Sequence, residues 1–157
     1  MKSTTITPPN RYLKDRDLYR TKVFLAGSIE QGKAEDWQTE FQRKFPFRVL
    51  FYNPRRKEWD ATWTQTLNSP LFYEQVTWEL DMLNQADHIV MYFDPNTKSP
   101  ISLLELGLYA SSGKLLVCCP EGFWRKGNVD IVCQRYNIPL YESIETLTIE
   151  LKNRLIK

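Results

Sequence analysis

Apolar residues along the chain gather into short runs, and the stretches between those runs carry them every three or four positions. Lys22 to Ala26, Phe47 to Tyr52, His88 to Phe93 and Leu115 to Cys119 are near-continuous apolar runs of the length expected for buried strands, and Ile138 to Tyr141 is a weaker fifth. Ala34 to Lys44 has Trp37 and Phe41 at i, i+4, with Glu35 and Asp36 early and Arg43 and Lys44 late, the polarity that a helix dipole favours. Phe72 to Ala86 predicts a second helix with Val76, Leu80 and Leu83 on its inner face. A third is expected from Pro100 to about Ser112, with Ser99 as N-cap and Pro100 at the first helical position. Val129 to Tyr136 and Ile144 to Ile156 complete the helices. Asn53-Pro54 stops the second strand, Gly113 the third helix and Pro120 the fourth strand. Residues 53–70 form a long loop rich in Trp and Arg, and residues 1–20 an extension that drapes over the domain or a partner subunit.

Strands alternating with helices in one small unit predict an α/β fold: a flavodoxin-like or Rossmann-like three-layer sandwich over residues 21–157, with five parallel strands in the order 2-1-3-4-5. In such a sheet the ligand crevice lies at the carboxyl ends of the strands where the order reverses, here between the first and third. That rule selects the loops Gly27 to Lys33 and Asp94 to Pro100, together with the tail of the second strand at Asn53 to Arg55.

One residue in this crevice is unusual. On the helix from Pro100, Ile101, Leu104, Glu105 and Leu108 share a side at i, i+3, i+4 and i+7, so Glu105 sits inside an apolar stripe. A buried carboxylate is costly unless paired or hydrogen-bonded. It is either a structural ion-pair partner or a catalytic group near a helix N-terminus.

Composition narrows the chemistry. A formal charge of +2 with both signs interspersed argues against nucleic acid and against a polybasic membrane contact, which leaves small-molecule partners. The polar N-terminus and the lack of an apolar run of bilayer length point to the cytosol. Cys118, Cys119 and Cys133 lack metal-site spacing and are expected to be reduced core residues. The single histidine, His88, opens a strand, so no metal or other cofactor is expected and any catalysis rests on carboxylates.

Three stretches in this order resemble the nucleoside 2-deoxyribosyltransferase family and its relatives, the N-glycosidases of nucleoside 5'-monophosphates. They are Val23 to Ile29 followed by Gly32, Trp78 to Asp87, and Ser99 to Ala110 with its Glu-Leu-Gly. The resemblance implies that Glu105 is the nucleophile, attacking C1' of a deoxyribose to give a covalent glycosyl-enzyme that a second base then resolves. It implies that Glu79 protonates the departing base, with Asp81 as the fallback acid, and that no cofactor is needed. Gly27 and Ser28 would approach the sugar, and Asp94 belongs to the same substrate-binding loop. Asn53 and Arg55 either read the base edge or only fix their own loop. Asn128 matches a residue that reaches the 5'-hydroxyl from a neighbouring subunit, which implies a homodimer or larger homo-oligomer.

The chain also departs from the family pattern. Glu79 replaces the usual aspartate, and Phe24 stands where a tyrosine bonds the nucleophile. Ser99 occupies a position that is aspartate in transferases and a phosphate-binding serine in the hydrolases, whereas Glu30 replaces the hydrolases' phosphate-binding arginine. A carboxylate beside a phosphate is repulsive, so the balance favours a 2'-deoxynucleoside and a free nucleobase as substrates. The alternatives are a monophosphate N-glycosidase and a non-catalytic nucleotide-sensing module.

Overall fold

The computed structural model describes residues 2–19, 21–30, 34–46 and 48–156. Its strands are β1 (Thr4–Ile6), β2 (Thr21–Gly27), β3 (Val49–Tyr52), β4 (His88–Tyr92), β5 (Leu115–Cys118) and β6 (Leu140–Tyr141). Its helices are α1 (Trp37–Arg43), α2 (Pro70–Gln85), α3 (Pro100–Tyr109), α4 (Lys126–Arg135) and α5 (Ile144–Ile156). Residues 53–69 carry neither helix nor strand.

All strand pairs are parallel, and the order is β1-β3-β2-β4-β5-β6. The sheet therefore has six strands and not the expected five: β2 to β6 keep the expected order 2-1-3-4-5 among themselves, and a sixth is added at the edge beside β3. The added strand comes from the N-terminal segment, where Thr4 to Ile6 pairs with Leu50 to Tyr52. Three residues, two of them threonines, are too few to show a strand period, so the sequence pattern gives no sign of this edge. Beyond β1 the segment crosses α2: the Trp78 indole donates to the Asn10 carbonyl at 2.6 Å and Arg11 pairs with Asp81.

Alternation along each strand divides the core into two layers. Phe24, Ala26, Ile89 and Met91 face α2, α3 and α4, with Trp78, Met82, Leu106 and Val129 packed against them. Val23, Leu25, Val90 and Leu116 face α1 and α5, meeting Trp37, Phe41, Leu147 and Leu151. All three cysteines are buried and free. No helix among the described residues is long and apolar enough to cross a membrane.

Two helix faces differ from expectation. On α2 the buried residues are Gln75, Trp78, Met82 and Leu83, while Leu80 turns outward. On α3 they are Ser102, Glu105 and Leu106, and Ile101, Leu104 and Leu108 are more than half exposed. Aliphatic residues surround α3 on nearly every side, so spacing alone does not reveal which stripe meets the sheet. Glu105 is buried at the border between that exposed stripe and the inner face formed by Ser102 and Leu106.

Candidate active site

Because β2 lies between β3 and β4, the strand order reverses at its carboxyl end, the position that the topology rule selects. Gly27 ends β2 with φ +127°, and a Cβ on it would stand 2.2 Å from the Tyr92 carbonyl oxygen. Its lack of a side chain serves the close approach of β2 to β4.

The next residue is the centre of a buried hydroxyl cluster. Ser28 Oγ lies 2.8 Å from Thr97 Oγ1 and 2.5 Å from Ser99 Oγ, and Thr97 Oγ1 is 2.7 Å from Ser99 Oγ. The Asp94 amide donates to Ser28 Oγ at 2.9 Å, and the Thr97 hydroxyl lies 2.9 Å from the Asp94 carbonyl. Asp94 Oδ1 accepts from the Asn96 amide and so shapes the turn. Ser99 holds the N-cap position of α3 in the left-handed region, φ 49°, and its hydroxyl makes no capping bond. Glu30 supplies the acceptor instead, taking the Lys98 and Ser99 amides on its carboxylate. The expected side-chain cap by Ser99 is thus corrected: its hydroxyl is committed to the cluster.

The loop after β3 is held in a different way. Asn53 Oδ1 accepts from the Arg55 amide, and Arg55 donates to Gln38 Oε1 at 2.7 Å and to the Glu35 carbonyl at 2.6 Å while lying 3.2 Å from Asp36. Of the two readings for Asn53 and Arg55, these contacts favour loop fixation. Asp81 is exposed and engaged by Arg11 rather than turned into the crevice.

The two remaining carboxylates come together on the α2, α3 side of the sheet. Glu105 is 7% exposed and Glu79 is partly buried. Burial pushes the Glu79 carboxyl up to about 7, with a Gln75 hydrogen bond acting in the opposite direction. Burial also raises Glu105 well above the ordinary carboxylate range, and the charge of Glu79 raises it further. Burial raises the Tyr109 phenol, and the charges of Glu105 and Asp81 raise it further; its hydroxyl donates to Asn84 Oδ1 at 2.8 Å. Phe24 is buried against Trp78, ring centroids 6.2 Å apart, and has no hydroxyl to offer a carboxylate. Two carboxyls whose ionisation opposes each other can divide the roles of nucleophile and acid in glycosidic chemistry.

Two surface concavities lie on opposite faces of the sheet. One, of about 340 Å³ between α3 and α4, is lined by Leu103, Leu106, Gly107, Trp124, Asn128 and Val129. The other is lined by Trp37, Phe41, Tyr92 and Glu145. Neither is lined by Glu79 or Glu105. Asn128 is exposed on α4, so the chain does not gather it with the carboxylate pair. Trp124 joins the α4 loop to the mouth of α3: its indole donates to the Lys98 carbonyl at 2.8 Å, and Lys98 and Arg125 lie over its ring.

A family model described as "Nucleoside 2-deoxyribosyltransferase like" matches residues 20–123, about two thirds of the chain. The chain belongs to the nucleoside 2-deoxyribosyltransferase-like family. The matched span contains Gly27, Ser28, Glu79, Asp94 and Glu105, and it ends before Asn128. A solved structure described as a conserved protein from Enterococcus faecalis V583 shares the fold at TM-score 0.61 and 14% identity, covering 85% of this chain and 98% of that one. No curated protein matches the chain significantly.

Gln75, Thr97 and Glu30's capping role were not anticipated as parts of the site. A signal for Gln75 was present, since it lies four residues before Glu79 on the same helix face.

Proposed function

We propose that this member of the family exchanges bases between 2'-deoxynucleosides through a deoxyribosyl ester of Glu105. The observation that carries the reading is the pairing, inside the family's matched span, of the buried Glu105 with the partly buried Glu79, whose charge raises the proton affinity of Glu105. A Glu105 carboxylate oxygen attacks C1', the C1'–N bond breaks with its electrons passing to the base nitrogen, and Glu79 delivers the proton. An incoming base then attacks C1' and displaces Glu105, while Glu79 takes back a proton. Two inversions leave the configuration at C1' retained.

Nucleosides are favoured over their 5'-monophosphates because the Glu30 carboxylate sits on the amides of Lys98 and Ser99. A phosphate at this helix entrance would meet a like charge. Ser99 no longer argues for the hydrolase alternative, its hydroxyl being bound to Ser28 and Thr97.

The active form is proposed to be a homodimer or larger homo-oligomer. Ile101, Leu104 and Leu108 form an uncovered apolar stripe on the helix that carries Glu105, and Asn128 stands exposed on the neighbouring helix.

Incubation with one deoxynucleoside and a different free base is expected to yield the exchanged nucleoside, and Glu105→Ala to abolish it. Without acceptor base, the intact protein should gain the mass of one deoxyribosyl group. Release of free base and deoxyribose 5-phosphate from a monophosphate, with no exchange, would establish the hydrolase alternative. Tight binding without turnover would establish the sensing one.

A further inference from the structure

Gln75 lies on α2 one turn before Glu79 and is 4% exposed. Its Nε2 donates to Glu79 Oε1 at 2.7 Å and to the Pro54 carbonyl at 3.1 Å, so both amide hydrogens are used. The opposite amide orientation is excluded on chemical grounds: it would turn Gln75 Oε1 toward the Pro54 carbonyl, which can only accept. The orientation that remains leaves Gln75 Oε1 buried without a hydrogen-bond partner among the described residues. A buried carbonyl with no donor is a standing cost. Neither donation serves the packing of the core. One reaches a carboxylate of the proposed site, and the other reaches the loop that leaves β3.

We propose that Gln75 is the positioning residue for Glu79, holding its carboxylate at a fixed angle and tying it to the Asn53–Arg55 loop. This assignment rests on the role proposed for Glu79 in base departure. A donor on one carboxylate oxygen leaves the other free to address the substrate, and it confines the side chain to one of its rotamers. The same donor favours the ionised form of Glu79, against the burial that favours the neutral one. Glu105 on α3 is the charged group that interacts with Glu79, and Tyr109 lies beyond it, coupled to Glu105 and bonded to Asn84. Gln75 therefore opposes the burial that keeps a proton on Glu79.

The test compares the wild-type chain with Gln75→Met, which keeps length and volume but removes the donor. Carbon-13 NMR of the glutamate side-chain carboxyls follows Glu79 directly and needs no turnover. Its titration midpoint is expected to move upward by about one pH unit in Gln75→Met, and the high-pH limb of kcat/KM for base exchange should move with it while kcat falls about tenfold or more. A Glu79 midpoint that stays in place or moves down overturns the assignment. In the wild type, one Gln75 side-chain amide proton should shift along the Glu79 titration, and a flat response also overturns it should the variant fail to fold. If the wild-type protein exchanges no bases while the NMR shifts occur as stated, the proposed activity fails and the Gln75 to Glu79 coupling stands.

Discussion

Glu79 on α2 and Glu105 on α3 interact closely enough that the charge of the first raises the proton affinity of the second. Both carboxyls are displaced upward, so the folded chain holds protons that the unfolded chain has already released. Stability attached to these groups is fully present below their unfolded values and is lost as pH rises through the folded ones. For Glu79 that window runs from 4.5 to about 7. Glu105→Gln, which cannot ionise, should therefore be more stable than the wild type above neutral pH, on the order of 1–3 kcal/mol. Thermal melts across the pH range check this: the gap should close toward about pH 4. A gap independent of pH would contradict the shared burial of the pair.

The proposed base exchange requires one carboxyl of this pair charged and the other neutral. The rate of base exchange should be bell-shaped in pH, with apparent values that belong to the pair rather than to either residue. Burial and mutual repulsion displace the limbs above the ordinary carboxylate range. Steady-state kinetics of kcat/KM is the measurement, and a rate flat from about pH 5 to 9 would remove the carboxylates from the mechanism.

Gly27→Ala is expected to be severely destabilising. The new Cβ would stand 2.2 Å from Tyr92 O and 2.7 Å from Tyr92 N, both backbone atoms, at a φ of +127° that side chains rarely adopt. Relief requires β2 and β4 to separate at the switch point, and a loss of about 3 kcal/mol or more follows. Urea denaturation measures it, and a loss under about 1 kcal/mol would mean that the seam is looser than described.

Ser28→Ala removes the acceptor of the Asp94 amide and the common partner of Thr97 and Ser99. An orphaned buried donor costs about 1–3 kcal/mol. Hydrogen exchange at the Asp94 amide should accelerate with the loss of stability, and unchanged protection would argue against the cluster.

Leu104→Glu and Leu108→Glu alter side chains that are 58% and 56% exposed in the single chain. If α3 is an interface, both variants should sediment as smaller species, with little effect on the fold of the monomer. Unchanged sedimentation would leave the stripe uncovered and remove support for the proposed assembly.

How much of this was legible in the sequence varies from residue to residue. The strands from Lys22, His88 and Leu115 were readable because a strand covered on both faces is continuously apolar. Thr4 to Ile6 was not, since a three-residue edge strand takes its structure from its partner β3 rather than from its own pattern. Glu105 was singled out through the stripe of Ile101, Leu104 and Leu108, which in fact faces outward. Its burial holds, but the spacing argument that led to it does not. Ser99 and Arg55 show a further limit: which partner satisfies a hydroxyl or a guanidinium is settled by tertiary contacts that no local motif encodes.

Helix α3 carries the buried Glu105 carboxylate at the border of its inner side and the aliphatic stripe on its outer side. Such a rod turns as one body, so whatever grips the outer aliphatic residues also sets the azimuth of Glu105, and with it the approach to C1' in the proposed reaction. Association and reactivity in this chain would then be governed through a single mechanical axle, and loosening the grip on one side would detune the other without touching it.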